Sequence, residues 1–415
     1  MEETRIVVVG GGFAGVYAAT YLSRSEVGQQ GADITLVDPR NYFTFTPLLA
    51  EVAAGNLGRE HVTYPYRVLG RRYGFGFMRA AAEGLDLEKR TLTAGGIELR
   101  YDYLVVATGA EPGYFGNQAL ADNSLPLTSV DDALAIRGRV IGAMEEASAP
   151  GVSQEIRAAG LTFVVAGAGP AGVEVASEVY HLANSVLAPY YQGLPRAHVI
   201  LADPGDRILN GWDDALAAAG LGRLRERGID VRLGTRIQSA APGLITMTNS
   251  TGEQTIAANT LIWTAGTVPS QWVGSAALPT ERGALKINEY LQVEGQERVF
   301  AAGDLTILLD QRTGRPYPRV APIAISQGIR AAANIENHAL GRALEPYHAH
   351  HAGKIVSLGS GVAFVDLLGL QITGRLAWWI YRSAYLLKLL GLKNKLRVLF
   401  TLALNQIFER DLSSS

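Results

Sequence analysis

Arg5-Ile-Val-Val-Val-Gly-Gly-Gly-Phe-Ala-Gly15, near the start of the chain, predicts a strand, a tight turn and the beginning of a helix. The β-branched run Ile6–Val9 is typical of a strand buried on both faces. A second apolar run, Asp33–Asp38, ends on an acid whose carboxylate can accept both hydroxyls of an adenosine ribose. Three glycines give the turn, the close approach of a diphosphate and the tight packing of the helix, and these are Gly10, Gly12 and Gly15. Together the two stretches predict a dinucleotide-binding site.

The same pattern occurs a second time in the middle of the chain. Leu161–Ala166 predicts a strand, Gly167-Ala-Gly-Pro-Ala-Gly172 a turn, and residues 173–188 a helix. The next apolar run, His198–Asp203, again ends on an acid. Two complete patterns imply two dinucleotides. Asp203 favours NADH over NADPH because a carboxylate repels a 2′-phosphate, although the nearby Arg207 leaves this choice open.

Three further strand-like runs end in small residues, which allow a backbone to approach a nucleotide closely. They are Tyr101–Gly109, Thr260–Gly266 and Arg298–Asp304. Their order relative to the two glycine patterns predicts an α/β fold of two Rossmann-like dinucleotide-binding domains, one inserted in the other. We expect the outer domain at residues 1–118 and 283–345, the inserted domain at 119–282, and a C-terminal helical region at 346–415.

Composition excludes several classes of protein. The 415 residues carry 37 Lys and Arg against 39 Asp and Glu, which gives no bias toward nucleic acid. They contain no cysteine, so electrons cannot pass through a dithiol relay. Charged residues make up 18% of the chain, a low share that suggests surface facing something other than water. We see no signal peptide before the first strand and no apolar run long enough to span a membrane, and therefore expect a cytoplasmic location.

Several local segments together resemble the type II NADH:quinone oxidoreductases, which are flavoproteins with two dinucleotide-binding domains. The segments are Gly10–Gly15, Arg40–Leu49, Ala107–Gly109, Gly167–Glu174, Trp263–Gly266 and Ala302–Asp304. The resemblance covers nearly the whole chain. It implies FAD at the first glycine pattern, NADH at the second, and a membrane quinone, menaquinone or ubiquinone, as the electron acceptor.

The resemblance also assigns site residues. It implies that Asp38 holds the FAD adenosine, that Asp304 bonds the flavin ribityl chain, and that Asp203 holds NADH. The full set of expected cofactor-binding residues is Gly10, Gly12, Phe13, Ala14, Gly15, Asp38, Pro39, Arg40, Thr46, Pro47, Ala107, Thr108, Gly109, Gly167, Gly169, Pro170, Ala171, Gly172, Glu174, Asp203, Ala265, Gly266, Gly303, Asp304, Ala321, Pro322 and Ile323.

Two residues are candidates for catalysis, Glu174 and Gln327. Glu174 allows two interpretations: an acid favoured by the dipole in the first turn of its helix, or a group near the nicotinamide and flavin that assists hydride or proton transfer. Gln327 lies in a helix that we expect to begin at Pro322 and to direct its N-terminus at the flavin. The family pattern Ala-Gln-x-Ala-x-Gln-Gln is altered here, because Pro322 and Ser326 replace its first two glutamines.

The tail combines bases and aromatic residues without acids from Leu367 to Phe408. We expect two helices, at residues 372–390 and 395–408, with Arg375 and Arg382 stacked on one side of the first. In the second, an apolar face is formed by Leu396, Leu399, Phe400, Ala403 and Ile407. Such helices are typical of the membrane interface, where cations meet anionic headgroups, although a dimer contact or a packed hairpin is the alternative.

These observations predict a peripheral enzyme on the cytoplasmic face of the cell membrane, without proton pumping, that forms a homodimer and binds no nucleic acid. His348, His350 and His351 lack the supporting acids of a metal site, so we expect none. Two alternatives remain. One is a reductase of the same fold with another acceptor, such as a specialised naphthoquinone or a soluble oxidant. The other is a membrane-docked NADH sensor with little turnover.

Overall fold

The computed structural model describes residues 4–349, 353–359, 361–367, 370–405, 408 and 410. The chain divides into two compact units. The first unit is made of Met1–Thr44, Thr63–Glu111 and Val268–His350, and the second of Phe45–Val62, Pro112–Thr267 and His351–Ser415. Each unit contains a parallel sheet with helices, which confirms the α/β class with two dinucleotide-binding folds.

The main sheet of the first unit places the opening strand at its centre. Arg5–Val9 pairs in parallel with Asp33–Asp38 on one side and with Tyr103–Val106 on the other. Each side chain from Ile6 to Val9 is at most 4% exposed, so the strand is buried on both faces as its composition predicted. The order across the sheet is Val299–Ala301, Tyr103–Val106, Arg5–Val9, Asp33–Asp38 and Gly76–Arg79.

The main sheet of the second unit repeats this arrangement. Thr162–Ala166 lies at its centre, between His198–Asp203 and Thr260–Trp263, and all three strands are parallel. The order across the sheet is Leu125–Pro126, Thr260–Trp263, Thr162–Ala166, His198–Asp203 and Asp230–Leu233. In both units the glycine pattern therefore follows the central strand, and the acid ends the strand beside it.

Smaller sheets and helices complete the first unit. Its other paired strands are Tyr42–Thr44 with Thr63–Pro65, Ala82–Asp86 with Thr91–Ala94 and Ile97–Arg100, and Thr280–Glu281 with Ala284–Lys286 and Thr306–Ile307. Its helices are Phe13–Arg24, Glu26–Gln29, Tyr66–Tyr73, Trp272–Ser275 and Ala321–Ala339. Gly328 lets the last of these cross Phe13–Arg24 closely, because a Cβ there would lie 2.2 Å from the Ala14 carbonyl oxygen.

The second unit has the larger set of helices. They are Leu49–Ala53, Arg59–Val62, Gln118–Asp122, Val130–Ser148, Gln154–Gly160, Pro170–His181, Asp214–Arg227, Gly374–Lys388 and Leu392–Leu404, with short 3-10 turns at Thr46–Leu48 and Ala188–Tyr190 and a π-helical segment at Leu182–Leu187. Its smaller sheets are Arg236–Ala241, Leu244–Asn249 and Gly252–Ala257, and Lys354–Ser357, Ala363–Leu367 and Leu370–Thr373. Two short strands, Ala110–Pro112 and Thr267–Pro269, lie where the chain passes between units.

Four helices have boundaries that differ from the sequence prediction. The helix after the second glycine pattern begins at Pro170 rather than at residue 173, and it changes to π-helical geometry after His181. The helix expected from Pro322 begins at Ala321. The tail helices are Gly374–Lys388 and Leu392–Leu404, because Ile372 belongs to a strand and Asn394 already lies inside the second helix. Ile407, expected on its apolar face, is outside the described residues.

Candidate functional site

The first glycine turn, Gly10–Gly15, has two glycines that the protein itself requires. Gly10 has a φ of +98°, and a Cβ there would lie 2.3 Å from the Ala107 carbonyl oxygen. A Cβ at Gly15 would lie 1.8 Å from the Gly10 carbonyl oxygen. Gly12 differs, since its φ is −71° and no atom lies within 4 Å of its Cβ position. The open space beside Gly12 is compatible with the close approach of a diphosphate, which stays a prediction.

The polar groups around this turn suit the adenosine end of FAD. Asp38 is 3% exposed, and its carboxylate accepts hydrogen bonds from the Gly11 N–H at 2.7 Å and the Arg40 N–H at 2.8 Å. The helix Phe13–Arg24 has no side-chain cap, so its first N–H groups remain available to an anion. The Thr108 hydroxyl is buried with no partner among the described atoms.

The second glycine turn, Gly167–Gly172, repeats this geometry. A Cβ at Gly167 would lie 2.8 Å from Ala265 Cα, and one at Gly172 would lie 1.8 Å from the Gly167 carbonyl oxygen. Gly169 matches Gly12, with a φ of −71° and nothing within 4 Å of its Cβ position. The helix from Pro170 again starts without a side-chain cap. Both turns thus leave one open position at the start of an uncapped helix.

The acid of the second pattern is placed as in the first. Asp203 accepts hydrogen bonds from the Ala168 N–H at 2.7 Å and the Gly205 N–H at 2.7 Å. Arg207, which left the choice of nicotinamide cofactor open, pairs instead with Asp214 and donates to the Trp212 carbonyl oxygen at 2.8 Å. The contacts of Arg207 therefore favour the ribose 2′-hydroxyl of NADH.

The Gln327 side chain is buried and hydrogen-bonded to a turn of the protein. Its side-chain oxygen accepts the Gly303 N–H at 2.8 Å, and the residue is 2% exposed. This bond fixes the turn that carries Asp304. Burial raises the pKa of Asp304, and the nearby charge of Arg319 only partly offsets that increase. The helix from Ala321, which contains Pro322 and Ile323, lacks a side-chain cap as well. A contact of Gln327 with quinone stays a prediction.

The other expected cofactor residues divide between the units. Those before residue 45 and those from 107 to 109 lie in the first unit with the turn at Gly303. Thr46 and Pro47 form a 3-10 turn that belongs to the second unit. Ala265 and Gly266 follow the strand Thr260–Trp263, and Gly266 has a φ of +139°, which favours glycine. Ala14 lies in the first turn of the helix Phe13–Arg24, Pro170 and Ala171 begin the helix Pro170–His181, and Pro39 directly follows the strand Asp33–Asp38.

Glu174 is not a first-turn acid, so the helix-dipole interpretation is wrong. The helix begins four residues earlier, and the Glu174 carboxylate instead accepts the Ser357 N–H at 2.9 Å and bonds with the Tyr381 hydroxyl. The pKa of Glu174 is raised to about 8, chiefly by burial and also by the charges of Glu51 and Glu178, while the hydrogen bonds from Ser357 and Tyr381 oppose the increase. Its carboxyl can therefore hold a proton near neutral pH.

Sequence reasoning missed the two other acids of this cluster. Glu51, Glu174 and Glu178, here called the carboxylate cluster, lie together in the second unit. The Asn56 side-chain nitrogen donates to Glu51 at 2.6 Å and to Glu178 at 3.1 Å. Glu51, Asn56 and Glu178 are each 5% exposed. One signal was available, since Glu174 and Glu178 are four residues apart on one helix face.

The carboxylate cluster predicts that the protein loses stability as pH rises. The pKa of Glu178 is raised by burial from its ordinary 4.5 to about 8, so between these values the folded chain holds a proton that the unfolded chain has released. Stability should therefore fall across this window, by on the order of 1–3 kcal/mol. Chemical unfolding at pH 5, 7 and 9 checks this, and Glu178→Gln should flatten the dependence. An equally steep dependence in that variant would contradict the assignment.

The second tail helix, Leu392–Leu404, exposes most of its apolar side chains and directs several polar side chains toward the protein. Three of its uncharged polar residues face the protein: Asn394 is buried, Thr401 bonds with His61 at 2.8 Å, and Asn405, just after the helix, donates to the Asn56 carbonyl oxygen at 2.9 Å. Its exposed residues are the apolar Leu392, Leu396, Leu399, Phe400, Ala403 and Leu404, together with the basic Lys393 and Arg397. An open groove of about 520 Å³ runs along this face beside Lys393 and Arg397.

The two arginines predicted on one side of the first tail helix have different surroundings. The Arg382 guanidinium lies 3.5 Å from Glu51 and 4.1 Å from the centre of the Trp378 ring. Arg375, Leu376, Trp379 and Lys388 are exposed. The outward surface of both helices therefore combines apolar side chains with bases.

In the described part of the chain, no helix is both long and apolar enough to cross a bilayer. No group of His, Cys, Asp and Glu in that part could hold a metal ion, and His350 and His351 lie outside it.

A family model for pyridine nucleotide-disulphide oxidoreductases matches residues 4–328. The chain is 31% identical to a type II NADH:quinone oxidoreductase of Mycobacterium tuberculosis, an alignment covering 95% of this chain and 86% of that protein. It is 28% identical to an internal alternative NAD(P)H-ubiquinone oxidoreductase of Solanum tuberosum mitochondria, over 99% and 88% of the two chains.

Solved structures share the fold. The structure of NDH2 from Plasmodium falciparum in complex with NADH superimposes with a TM-score of 0.91 at 18% identity, covering 99% of this chain and all of that one. The sulfide:quinone oxidoreductase of Aquifex aeolicus superimposes with a TM-score of 0.72 at 20% identity, covering 92% and 90%.

Proposed function

The chain belongs to the pyridine nucleotide-disulphide oxidoreductases and, among them, to the type II NADH:quinone oxidoreductases, and we propose which of its residues serve that reaction. The reaction moves a hydride from NADH to FAD and then two electrons to a quinone, without proton pumping. We assign FAD to the first glycine turn and NADH to the second. The observation that carries this assignment is the repeat itself: two cradles in one chain, each with an open glycine position, an uncapped helix and an acid.

The residues present fit both groups. In the first cradle, Gly12 leaves room for the diphosphate, Asp38 is held rigidly beside it, and the Thr108 hydroxyl is an unpaired buried group that a ligand can satisfy. In the second, Gly169 and Asp203 take the same parts. When bound, FAD supplies the two-electron chemistry. The protein supplies position and electrostatics.

The disulfide chemistry for which the broader family is named cannot occur on these 415 residues, which contain no cysteine. Electrons therefore pass from the cofactor directly to an acceptor. The helix from Ala321 departs from the type II pattern, and this departure leaves the identity of that acceptor open. Where the type II pattern has its second glutamine, the Ser326 hydroxyl bonds with the Tyr347 hydroxyl at 2.8 Å. This substitution favours, as a second candidate, the same reductase acting on an unusual quinone.

Stopped-flow absorbance on the purified protein tests the function. NADH is expected to bleach a yellow flavin, and a lipid quinone to restore the colour within the same mixing experiment. Comparing ubiquinone, menaquinone and a soluble dye at equal concentration identifies the acceptor. A flavin that NADH bleaches but no quinone reoxidises would favour the sensor alternative instead.

The tail helices are, in our proposal, the surface that docks on a membrane. An exposed helix face of Leu and Phe is unfavourable in water and favourable in the acyl region, at roughly 1.5–3 kcal/mol per fully buried side chain. Lys393 and Arg397 stand beside this face, where they can meet anionic headgroups. A quinone is confined to the bilayer, so docking brings the enzyme to its acceptor.

Substituting two exposed apolar residues should release the protein from vesicles. The double variant Leu396→Gln with Phe400→Gln is expected to lower partition into anionic phosphatidylglycerol vesicles by ~30-fold or more, because two side chains no longer enter the bilayer. Co-flotation measures this. Ile156→Gln is the matched control, since Ile156 is 64% exposed, as is Phe400, but lies outside the tail helices. Unchanged flotation of the double variant would contradict membrane docking.

Two assignments remain, the membrane face on which the enzyme lies and its oligomeric state. We propose that the enzyme docks on the cytoplasmic face of the cell membrane and that it forms a homodimer. Fractionation of cells with proteolysis from each side tests the first. Light scattering of the detergent-solubilised protein tests the second.

A further inference from the structure

A short turn of the second unit carries a solvent-exposed phenylalanine. The turn consists of residues 114–117 and is closed by a hydrogen bond from the Asn117 N–H to the Tyr114 carbonyl oxygen at 2.9 Å. Phe115 is its second residue, and it is 73% exposed. A single exposed apolar side chain is common on protein surfaces, so the backbone and the position of Phe115 decide whether it has a role.

The backbone of Phe115 has a conformation that disfavours its residue type. Its φ is +53°, and the φ of the following Gly116 is +77°. A turn whose two central residues both have positive φ is ordinarily made of Gly, Asn or Asp, because a Cβ is crowded in this region. The phenylalanine therefore costs stability that an asparagine or glycine at the same position would not. Such strain is typical of positions where the side chain serves a function.

Hydrogen bonds attach this turn to the end of the strand Thr260–Trp263. The Gly113 N–H donates to the Gly266 carbonyl oxygen at 3.0 Å, and the Trp263 indole N–H donates to the Gly113 carbonyl oxygen at 3.0 Å. After the turn, the Asn117 side chain caps the next helix. The turn is thus held at both ends, which fixes the place of the side chain between them.

The phenyl ring lies beside the second glycine turn. The Phe115 Cζ is 3.6 Å from the position that a Cβ of Gly266 would take, and the ring centre is 6.4 Å from that of Trp263. Gly266 is exposed, so open space adjoins the ring. Ala265 contacts the glycine turn itself, because a Cβ at Gly167 would lie 2.8 Å from the Ala265 Cα. The ring and the second cradle therefore lie side by side in the second unit.

The order of the strands shows which half of a dinucleotide meets this ring. Thr162–Ala166 is central, with His198–Asp203 on one side and Thr260–Trp263 on the other. A dinucleotide bound across such a sheet places its two halves on opposite sides of the central strand. Since the adenosine half is assigned to Asp203, the nicotinamide half falls on the side of Phe115.

We propose that Phe115 is a specificity-determining residue of the NADH site, whose phenyl ring packs against the nicotinamide riboside half of the bound dinucleotide. The inference rests on the proposed function and deepens it from the two cradles to the recognition of one half of the substrate. An aromatic side chain offers a large apolar contact and loses little conformational entropy on binding. The contact exists only for a ligand that carries the nicotinamide riboside, so the ring distinguishes NADH from a nucleotide such as ADP.

Equilibrium binding to the full-length oxidised holoenzyme tests this proposal, with NAD⁺ and ADP as the two probes. Phe115→Asn removes the ring and keeps the turn, because asparagine tolerates a positive φ. We expect calorimetry to show NAD⁺ bound ~10-fold more weakly by this variant, while the affinity for ADP changes less than twofold. Phe115→Tyr keeps the ring and should bind NAD⁺ as the wild type does. Tyr190→Ala is the control, since it removes another exposed aromatic ring from the same unit.

Stability and kinetics distinguish a binding role from a structural one. Phe115→Asn should melt at the wild-type temperature or above it, because it releases backbone strain, whereas loss of a ring that supports the fold would lower the melting temperature. In stopped-flow experiments, the NADH concentration giving half-maximal bleaching should rise ~10-fold in this variant, while reoxidation by quinone changes less than twofold.

Equal affinity of the wild type and Phe115→Asn for NAD⁺ would overturn the proposal. An equal loss of affinity for NAD⁺ and ADP, or a lower melting temperature with loss of both ligands, would overturn it as well, because the effect would then not be confined to the nicotinamide half. A wild-type protein that binds neither NAD⁺ nor ADP, and whose flavin NADH does not bleach, would instead count against the proposed function.

Discussion

A Gly12→Val variant is expected to fold and to purify without FAD. The backbone at Gly12 has a φ of −71°, which any residue can adopt, and nothing in the protein lies within 4 Å of its Cβ position. The Cβ would therefore meet no protein atom, and the valine side chain would fill the space assigned to the diphosphate. Overpacking costs of 1–3 kcal/mol or more, added to the lost N–H contacts, should weaken FAD binding by roughly 100-fold or more.

The flavin absorbance per protein after gel filtration measures this effect, with circular dichroism to show that the fold is retained. Gly222→Val is the matched control, because Gly222 is also open, lies in a helix and belongs to neither cradle. Gly15→Val should behave differently and unfold, since its Cβ would lie 1.8 Å from a carbonyl oxygen. A yellow Gly12→Val protein with wild-type flavin content would show that the diphosphate does not bind at this turn.

The local part of the fold could be predicted because its signals are contiguous. Asp33–Asp38 and His198–Asp203 have the bounds that their sequences suggested, since an uninterrupted apolar run that ends on an acid marks both ends of a buried strand. The helix bounds were less accurate. Glycine and proline in Gly167–Gly172 suggested a turn through residue 172, whereas Pro170 is accepted as the first residue of the helix because its missing N–H has no partner there.

The carboxylate cluster as a whole could not be predicted, because Glu51 and Asn56 are distant in sequence from Glu174 and Glu178. Asn56 and Glu178 are separated by 122 positions, and neither stands in a motif. Glu51 lies in an apolar stretch where an acid suggests an exposed position, yet the Asn56 amide and Arg382 satisfy it in the interior. Only the packing of the helix Leu49–Ala53 against Pro170–His181 brings these groups together.

The tail helices show a second limit of prediction from sequence. Periodicity identified which residues of Leu392–Leu404 share an apolar face, but it does not say toward which side that face turns. The structure turns it outward and places Thr401 and Asn405 inward, where they bond with His61 and the Asn56 backbone. In the same way, the spacing of Arg375 and Arg382 does not show that Arg382 pairs with the buried Glu51 whereas Arg375 is exposed.

A Gly169→Val variant is expected to keep its flavin and to lose its response to NADH. Gly169 repeats the geometry of Gly12 in the second unit, with the same φ of −71° and no atom within 4 Å of its Cβ position. A valine there would occupy the space for the NADH diphosphate, and the NADH concentration giving half-maximal bleaching should rise by roughly 100-fold or more. Dithionite, which does not use this site, should still bleach the flavin, and quinone should still restore the colour.

The two valine variants together distinguish the cradles, because each should remove one nucleotide and leave the other. Loss of FAD in Gly169→Val with retention in Gly12→Val would reverse the assignment, and loss in both would mean that the turns are not independent. Wild-type bleaching of Gly169→Val at low NADH concentration would place the nicotinamide cofactor elsewhere.

The expected pattern is informative because the repeat is nearly symmetric. The same residue type, the same backbone angle and the same empty space occur in both turns, so a general effect of valine on folding should appear in both variants alike. Opposite losses can arise only if the turns bind different nucleotides, and this is the condition under which one chain can carry a hydride from NADH to FAD.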